Sequence, residues 1–97
     1  MKPVIFSPQA DRELENIGDF IAEESALKAK SVVGELRARA FRIGHSPRAY
    51  PLRNNLMPGL RMMVWRPFLV LYRETITHVE IVHIVHGARD LRRLFED

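Results

Sequence analysis

The chain has 97 residues, a length typical of one domain built around a single core, and we treat residues 1–97 as that domain. It contains no cysteine, which excludes disulfides and thiolate metal sites. No stretch approaches the roughly 20 consecutive apolar residues of a membrane span, and the N-terminus lacks the pattern of a secretory signal. These features predict a cytoplasmic protein that does not enter a membrane.

Charge is distributed unevenly along the chain. Residues 1–34 carry four basic and six acidic groups, whereas residues 35–97 carry eleven basic groups, all of them arginine, and six acidic groups. Arginine suits flat, bidentate contacts with phosphate or carboxylate. The second part therefore indicates either a surface for nucleic acid or an acidic partner, or an ordinary solvated basic face.

The first half of the chain predicts a short strand and two helices. After a strand at residues 3–6, Ser7 and Pro8 form the pattern of a helix N-cap followed by proline at the first helical position. Apolar residues then recur at helical spacing, and the helix should fade around Glu24: Ala10, Leu14, Ile17, Ile21. Ser25 predicts the N-cap of a second helix and Gly44 its end. So short a link predicts an antiparallel hairpin.

Two glycines lie inside these predicted helices. Gly18 and Gly34 each cost about 1 kcal/mol relative to alanine in a helix interior. A close approach of the two helices would explain them, and so would simple tolerance of the cost. The sequence leaves both explanations open.

The second half predicts a loop and a β-meander. Residues 45–59 are rich in proline, asparagine and glycine, which indicates a loop. Residues 60–65, 68–73 and 79–85 have the pattern of strands, and the last is apolar and β-branched enough to be central. Residues 88–95 predict a short basic helix whose Leu91, Leu94 and Phe95 face inward. The order β-α-α-β-β-β predicts an α+β fold with the helical hairpin packed on a mainly antiparallel sheet.

Four local sequences, in this order, resemble the ParE/RelE toxin superfamily. They are FSPQA at residues 6–10, PGLR at 58–61, YR at 72–73, and VEI at 79–81 followed by HGARDL at 86–91. The resemblance covers nearly the whole chain. It implies the toxin of a type II toxin–antitoxin module of the plasmid-stabilisation kind, which arrests growth and is neutralised by a ParD-like antitoxin in a hetero-oligomer.

The resemblance implies two alternative targets on one fold. ParE-type members inhibit DNA gyrase by protein–protein contact, whereas RelE-type members are metal-independent endoribonucleases that cut mRNA. Neither branch implies a cofactor, a metal or a small-molecule substrate. A member that has lost toxicity is a third possibility.

The site residues favour the gyrase branch. Metal-free RNA cleavage needs a proton acceptor, a proton donor and cations for the phosphate. RelE-type toxins use basic residues on the sheet and a tyrosine near the C-terminus, and Arg61 and Arg89 fall on two such basic positions. Residues 91–97 contain no tyrosine, so the acid–base pair is incomplete. We therefore predict no enzyme activity and assign target binding to four arginines: Arg61, Arg89, Arg92, Arg93.

If the chain is a nuclease instead, Arg61, Arg89, Tyr72 and His86 would form its catalytic set. In a regular strand His83 and His86 point to opposite faces, while His78 and His86 share a face at a distance of eight residues. We therefore interpret the histidines as structural. Tyr72 is more simply a sheet residue with a buried ring.

Two further expectations concern the partner. Trp65 either contacts a partner or packs under a helix. The antitoxin should bury an apolar groove between the helical hairpin and the sheet, which would leave the free toxin poorly soluble.

Overall fold

The computed structural model describes residues 1–87 and 90–96. It contains two α-helices and four strands, named here in chain order: β1 (Val4–Phe6), α1 (Pro8–Ala22), α2 (Ala26–Arg42), β2 (Leu60–Trp65), β3 (Phe68–Glu74) and β4 (Val79–His86). Two short 3-10 helices follow α2 and β4, at Ile43–His45 and Leu91–Phe95. Within the described ranges, no helix combines the length and apolar character that crossing a membrane requires.

Both helices begin at the predicted serine caps. The Ser7 hydroxyl accepts a hydrogen bond from the Ala10 amide at 3.0 Å, and the Ser25 hydroxyl accepts one from the Lys28 amide at 3.1 Å. Each cap satisfies one of the amides that a helix N-terminus leaves without an internal partner. α1 ends at Ala22, two residues before the predicted limit.

The sheet has the strand order β1-β4-β3-β2. β1 is parallel to β4, whereas β2–β3 and β3–β4 are antiparallel. The predicted α+β fold with a helical hairpin on a mainly antiparallel sheet is confirmed, and the apolar fourth strand is central as expected.

The main core lies between the helical hairpin and one face of the sheet. Leu14 of α1 and Leu36 of α2 are fully buried there against Val70, Tyr72 and Ile81. Along β2, Met63 and Trp65 belong to this core, whereas Leu60 and Met62 belong to a second cluster. The side chains of β2 therefore alternate between the two faces of the sheet.

The second cluster covers the other face of the sheet. Its buried centre is Leu60, Leu71 and Val85, and its cover comes from two short segments: Leu56, Met57, Leu91, Leu94, Phe95. The last three confirm the predicted inward face of the C-terminal segment. This segment is a 3-10 helix of five residues, and the first two residues of the predicted helix, Ala88 and Arg89, lie outside the described residues.

A β-bulge interrupts the pairing of β3 with β4. Leu71 pairs with His83 but Tyr72 pairs with Ile81, so Val82 is an extra residue on β4. Ile81 and Ile84 consequently face the same core although they are three residues apart. The prediction that His78 and His86 share a face is wrong, because it assumed a regular strand and the bulge adds one residue between them.

The glycines inside and after the helices have different surroundings. A methyl group on Gly18 would lie 3.0 Å from Val33 Cγ2 across the hairpin, so close helix approach explains this glycine. A methyl group added at Gly34 would have no neighbouring atom within 4 Å. Gly44 packs directly on the Lys2 backbone carbonyl, and its own carbonyl accepts from the Lys2 amide at 3.0 Å.

We predict opposite effects of alanine at two of these glycines. Gly44→Ala should lower the free energy of unfolding by about 1–3 kcal/mol, because the methyl group overlaps backbone that anchors the N-terminus. Gly34→Ala should raise it by about 1 kcal/mol, because alanine is the better helix former and the site is open. Urea denaturation of both variants checks this, and equal effects would contradict the close packing at Gly44.

Candidate functional site

A groove of about 690 Å³ lies between the helical hairpin and the sheet. The helices supply one side and the β2–β3 turn with the end of β4 supplies the other, through these apolar residues: Ile17, Phe20, Ile21, Val32, Trp65, Pro67, Phe68, Ile84, Val85. Phe20 is 74% exposed. An apolar concavity of this size on a small protein is typical of a binding site.

Ionisable side chains occupy the floor and the rim of the groove. Lys28, Arg66 and His86 lie at the exposed rim. Glu13 lies within the lining but is only 6% exposed. Its carboxylate accepts from the Ile84 amide at 3.0 Å and contacts His83 Nδ1 at 2.9 Å. The buried acid is therefore held by the protein itself, and the accessible charges at the rim are basic.

Glu13 was not predicted as a site residue from the sequence. Asp11 and Glu13 both stand near the start of α1, where a helix dipole favours acids. Glu13, however, follows Ala10 by three residues and so lies on the apolar stripe of the helix. An acid on an apolar stripe is the signal that would have indicated a buried, hydrogen-bonded carboxylate.

Arg61 and Tyr72 lie opposite each other on β2 and β3. Arg61 Nη1 donates to the backbone carbonyls of Tyr50 at 2.7 Å and Arg48 at 3.3 Å. The Tyr72 hydroxyl donates to the Pro47 carbonyl at 2.7 Å, and its ring stands edge-on to that of Tyr50 with centroids 6.3 Å apart. Both side chains therefore hold the loop after α2 against the sheet.

The electrostatics of Tyr72 do not suit proton transfer at neutral pH. Burial raises the pKa of Tyr72 to about 12, and the nearby positive charge of Arg61 offsets only part of that effect. Its hydroxyl proton is also engaged by the Pro47 carbonyl. The arrangement favours a structural role for this tyrosine.

An ion-pair network lies at the same end of the sheet. Glu74 contacts Lys2 Nζ and Arg48 Nε, both at 3.0 Å, and these hydrogen bonds lower the pKa of Glu74. Arg48 and Lys2 thus share one carboxylate of the chain itself.

The histidines occupy separate environments. His78 bonds with the Thr75 and Thr77 hydroxyls in the β3–β4 turn. His83 contacts Glu13 and the ring of Phe95, and the His86 ring stands edge-on to Phe68 at 6.0 Å. Among the described residues, no group of three potential ligands is placed to hold a metal ion.

Among the predicted target-binding arginines that the structure describes, Arg61 lies apart from Arg92 and Arg93. Arg61 lies beside Tyr72 on the helix-covered face, as directly paired residues share a face. Arg92 and Arg93 are exposed on the 3-10 helix that covers the opposite face. Arg89 lies outside the described residues.

Comparisons with known proteins agree with this architecture. The family model described as the ParE toxin of type II toxin–antitoxin system, parDE, matches residues 4–91. A solved structure titled "Chromosomal ParDE TA system from P. aeruginosa" contains a chain that superposes with a TM-score of 0.77 at 19% sequence identity, over 89% of this chain and 96% of that one. This structural similarity shows the fold. A search of the curated proteins gives no significant match.

The family match covers most of the chain and defines its class as a toxin of a type II toxin–antitoxin system. The chain belongs to the ParE toxin family.

We predict that Tyr72→Phe lowers the free energy of unfolding by about 1 kcal/mol near neutral pH, through loss of the bond to the Pro47 carbonyl. Because folding raises the pKa of Tyr72 from 10.0 to about 12, this tyrosine stabilises the fold fully below pH 10, and that contribution disappears as the pH rises towards 12.

Urea denaturation at several alkaline pH values measures the difference. The gap between the parent and Tyr72→Phe should shrink as the pH rises from 10. A gap that widens over this range would show that Tyr72 ionises more readily in the folded state.

Proposed function

We propose that this ParE-family chain acts in the cytoplasm, inhibits DNA gyrase by protein–protein contact, and is neutralised when a ParD-like antitoxin encoded beside it occupies the groove. The observation that supports this most is the groove itself. It is a wide concavity lined mainly by apolar side chains, and this lining suits a polypeptide partner rather than a reaction.

The groove also defines the chemistry of the antitoxin segment. Ile17, Phe20 and Trp65 favour apolar side chains on the partner, because burying apolar surface against them lowers the free energy of the complex. Lys28 and Arg66 at the rim call for acidic neighbours on the partner. We therefore expect an antitoxin segment that combines apolar anchors with flanking carboxylates.

We predict that Phe20→Glu weakens antitoxin binding at least tenfold, because a central aromatic anchor is replaced by a charge. Phe20 is 74% exposed, so the change should leave the fold intact. Ile76→Glu is the matched control: Ile76 is 97% exposed, lies in the β3–β4 turn and is not part of the groove. Calorimetric titration with purified antitoxin measures both, and equal affinities would argue against the groove.

The proposal of a binding protein rather than an enzyme has separate support. Arg61 and Tyr72 are engaged by backbone carbonyls, and residues 91–97 contain no tyrosine. The exposed guanidinium groups of Arg92 and Arg93 remain available for an acidic target surface, and we propose them, with Arg61 and Arg89, as contacts to gyrase.

One observation favours the endoribonuclease alternative. Arg61 lies opposite Tyr72, whose ring stands edge-on to that of Tyr50, and Tyr50 is 37% exposed. A cation next to an accessible phenol is a minimal arrangement for contacting a phosphate and moving a proton. On this alternative Arg61, Arg89, Tyr72 and His86 would act on mRNA.

A single induction experiment separates the two functions. We predict that production of the chain alone in bacteria stops growth, alters DNA supercoiling and leaves mRNA intact, and that simultaneous production of the antitoxin restores growth. Supercoiling is read from reporter-plasmid topoisomers and mRNA from its length distribution in the same cells. Fragmented mRNA with normal supercoiling would replace gyrase inhibition by the nuclease function, and normal growth would indicate an inactive member.

A further inference from the structure

The edge of β4 that faces α1 is only partly covered by a strand. β1 pairs with β4 over residues 79–81, whereas β4 continues to His86. Beyond the paired part, side chains from the start of α1 take over. Ser7 Oγ donates to the Val82 carbonyl at 2.9 Å, and Glu13 Oε1 accepts from the Ile84 amide at 3.0 Å. The helix is thus fastened to this edge by side chains instead of a backbone ladder.

Glu13 connects this edge to the opposite face of the sheet. Its Oε2 lies 2.9 Å from His83 Nδ1, and the two side chains are only 7% and 12% exposed. The His83 ring stands edge-on to Phe95, with centroids 5.3 Å apart, and Phe95 packs in the second cluster. A continuous series of contacts therefore runs from the lining of the groove, around the edge of β4, to the C-terminal 3-10 helix.

We infer that occupation of the groove and the seating of the C-terminal 3-10 helix are coupled through Glu13, His83 and Phe95. The inference rests on the proposed function, since it takes the antitoxin as the occupant of the groove. A partner packed against Ile17 and Trp65 holds α1 on β4, and so keeps the Glu13 carboxylate on its two donors.

The C-terminal 3-10 helix is the weaker end of this series. It has five residues and is held by three apolar side chains, Leu91, Leu94 and Phe95. Short 3-10 helices have poor internal hydrogen bonds, and such segments open locally before the rest of a protein. When Phe95 moves away from the His83 ring, His83 is freer to move away from Glu13. That movement is unfavourable, because it leaves the buried Glu13 carboxylate without one of its donors. A partner that fixes Glu13 therefore opposes this opening.

The coupling is reciprocal. If antitoxin binding favours the seated form of the 3-10 helix, the seated form must favour antitoxin binding by the same coupling free energy. Arg92 and Arg93 lie on the coupled segment. An antitoxin in the groove therefore restricts the segment that carries these two proposed target contacts, without having to touch it.

Hydrogen exchange of the Leu91–Phe95 amides, measured by NMR with and without purified antitoxin, tests the inference. In the parent chain, antitoxin should slow this exchange about fivefold or more. Phe95→Leu keeps apolar packing on the second face but removes the ring against His83. In this variant the slowing should vanish, because the ring that links the segment to His83 and Glu13 is gone. Equal slowing in both chains would overturn the coupling.

A second arm uses the free chain and needs no antitoxin. Glu13→Gln keeps an acceptor oxygen for the Ile84 amide but removes the negative charge next to His83, and should speed exchange at Leu91–Phe95. Glu15→Gln, on an exposed position of the same helix, should not. Equal exchange in the two variants overturns the inference even if the antitoxin binds. Failure of the antitoxin to bind the groove would instead contradict the proposed function.

Discussion

The packing of α1 on β4 is the interaction on which the rest of the structure depends. β4 is central in the sheet, and α1 lies across it with Leu14 fully buried in the shared core. The contact between Glu13 and His83 joins residues 70 positions apart, so it holds the N-terminal helices against the C-terminal strands. Ser7 stabilises this packing in two ways: it caps α1, and its hydroxyl donates to the Val82 carbonyl.

The same packing creates the binding surface. Apolar residues of α1 and of the β2–β3 turn face each other across the groove without meeting, so the chain cannot bury this surface by itself. The polar network around Arg61 and Tyr72, in contrast, is closed on the chain's own backbone carbonyls. An open groove lined by apolar side chains suits a polypeptide partner, which agrees with membership of a toxin–antitoxin family.

Much of the fold could be predicted from the sequence, because its elements are marked by local chemistry. Ser7 and Ser25 stand at true helix caps, and the strand pattern of residues 60–65 corresponds to β2. The bulge could not be predicted, since Val82 fits a regular strand and an irregular one equally well. The consequence was a wrong face for His78 relative to His86.

The site was less accessible to sequence reasoning, because it depends on which distant residues meet. The arginines predicted to bind a target share a charge, yet Arg61 belongs to one face of the sheet, and Arg92 and Arg93 lie on the 3-10 helix that covers the other. The groove was expected from the resemblance, but its buried acid was not. Glu13 meets its donors only after α1 has crossed β4, and no local pattern contains that contact.

The strand order affects how the chain folds during its synthesis. β4 lies between β1 and β3, and it is made of residues near the C-terminal end of the chain. β1 emerges from the ribosome first, but it has no strand to pair with until β4 has left the exit tunnel. Long-range pairing of this kind is slow compared with local helix formation. The toxin therefore completes its sheet, and the groove that depends on β4, only after residues 79–86 have been made.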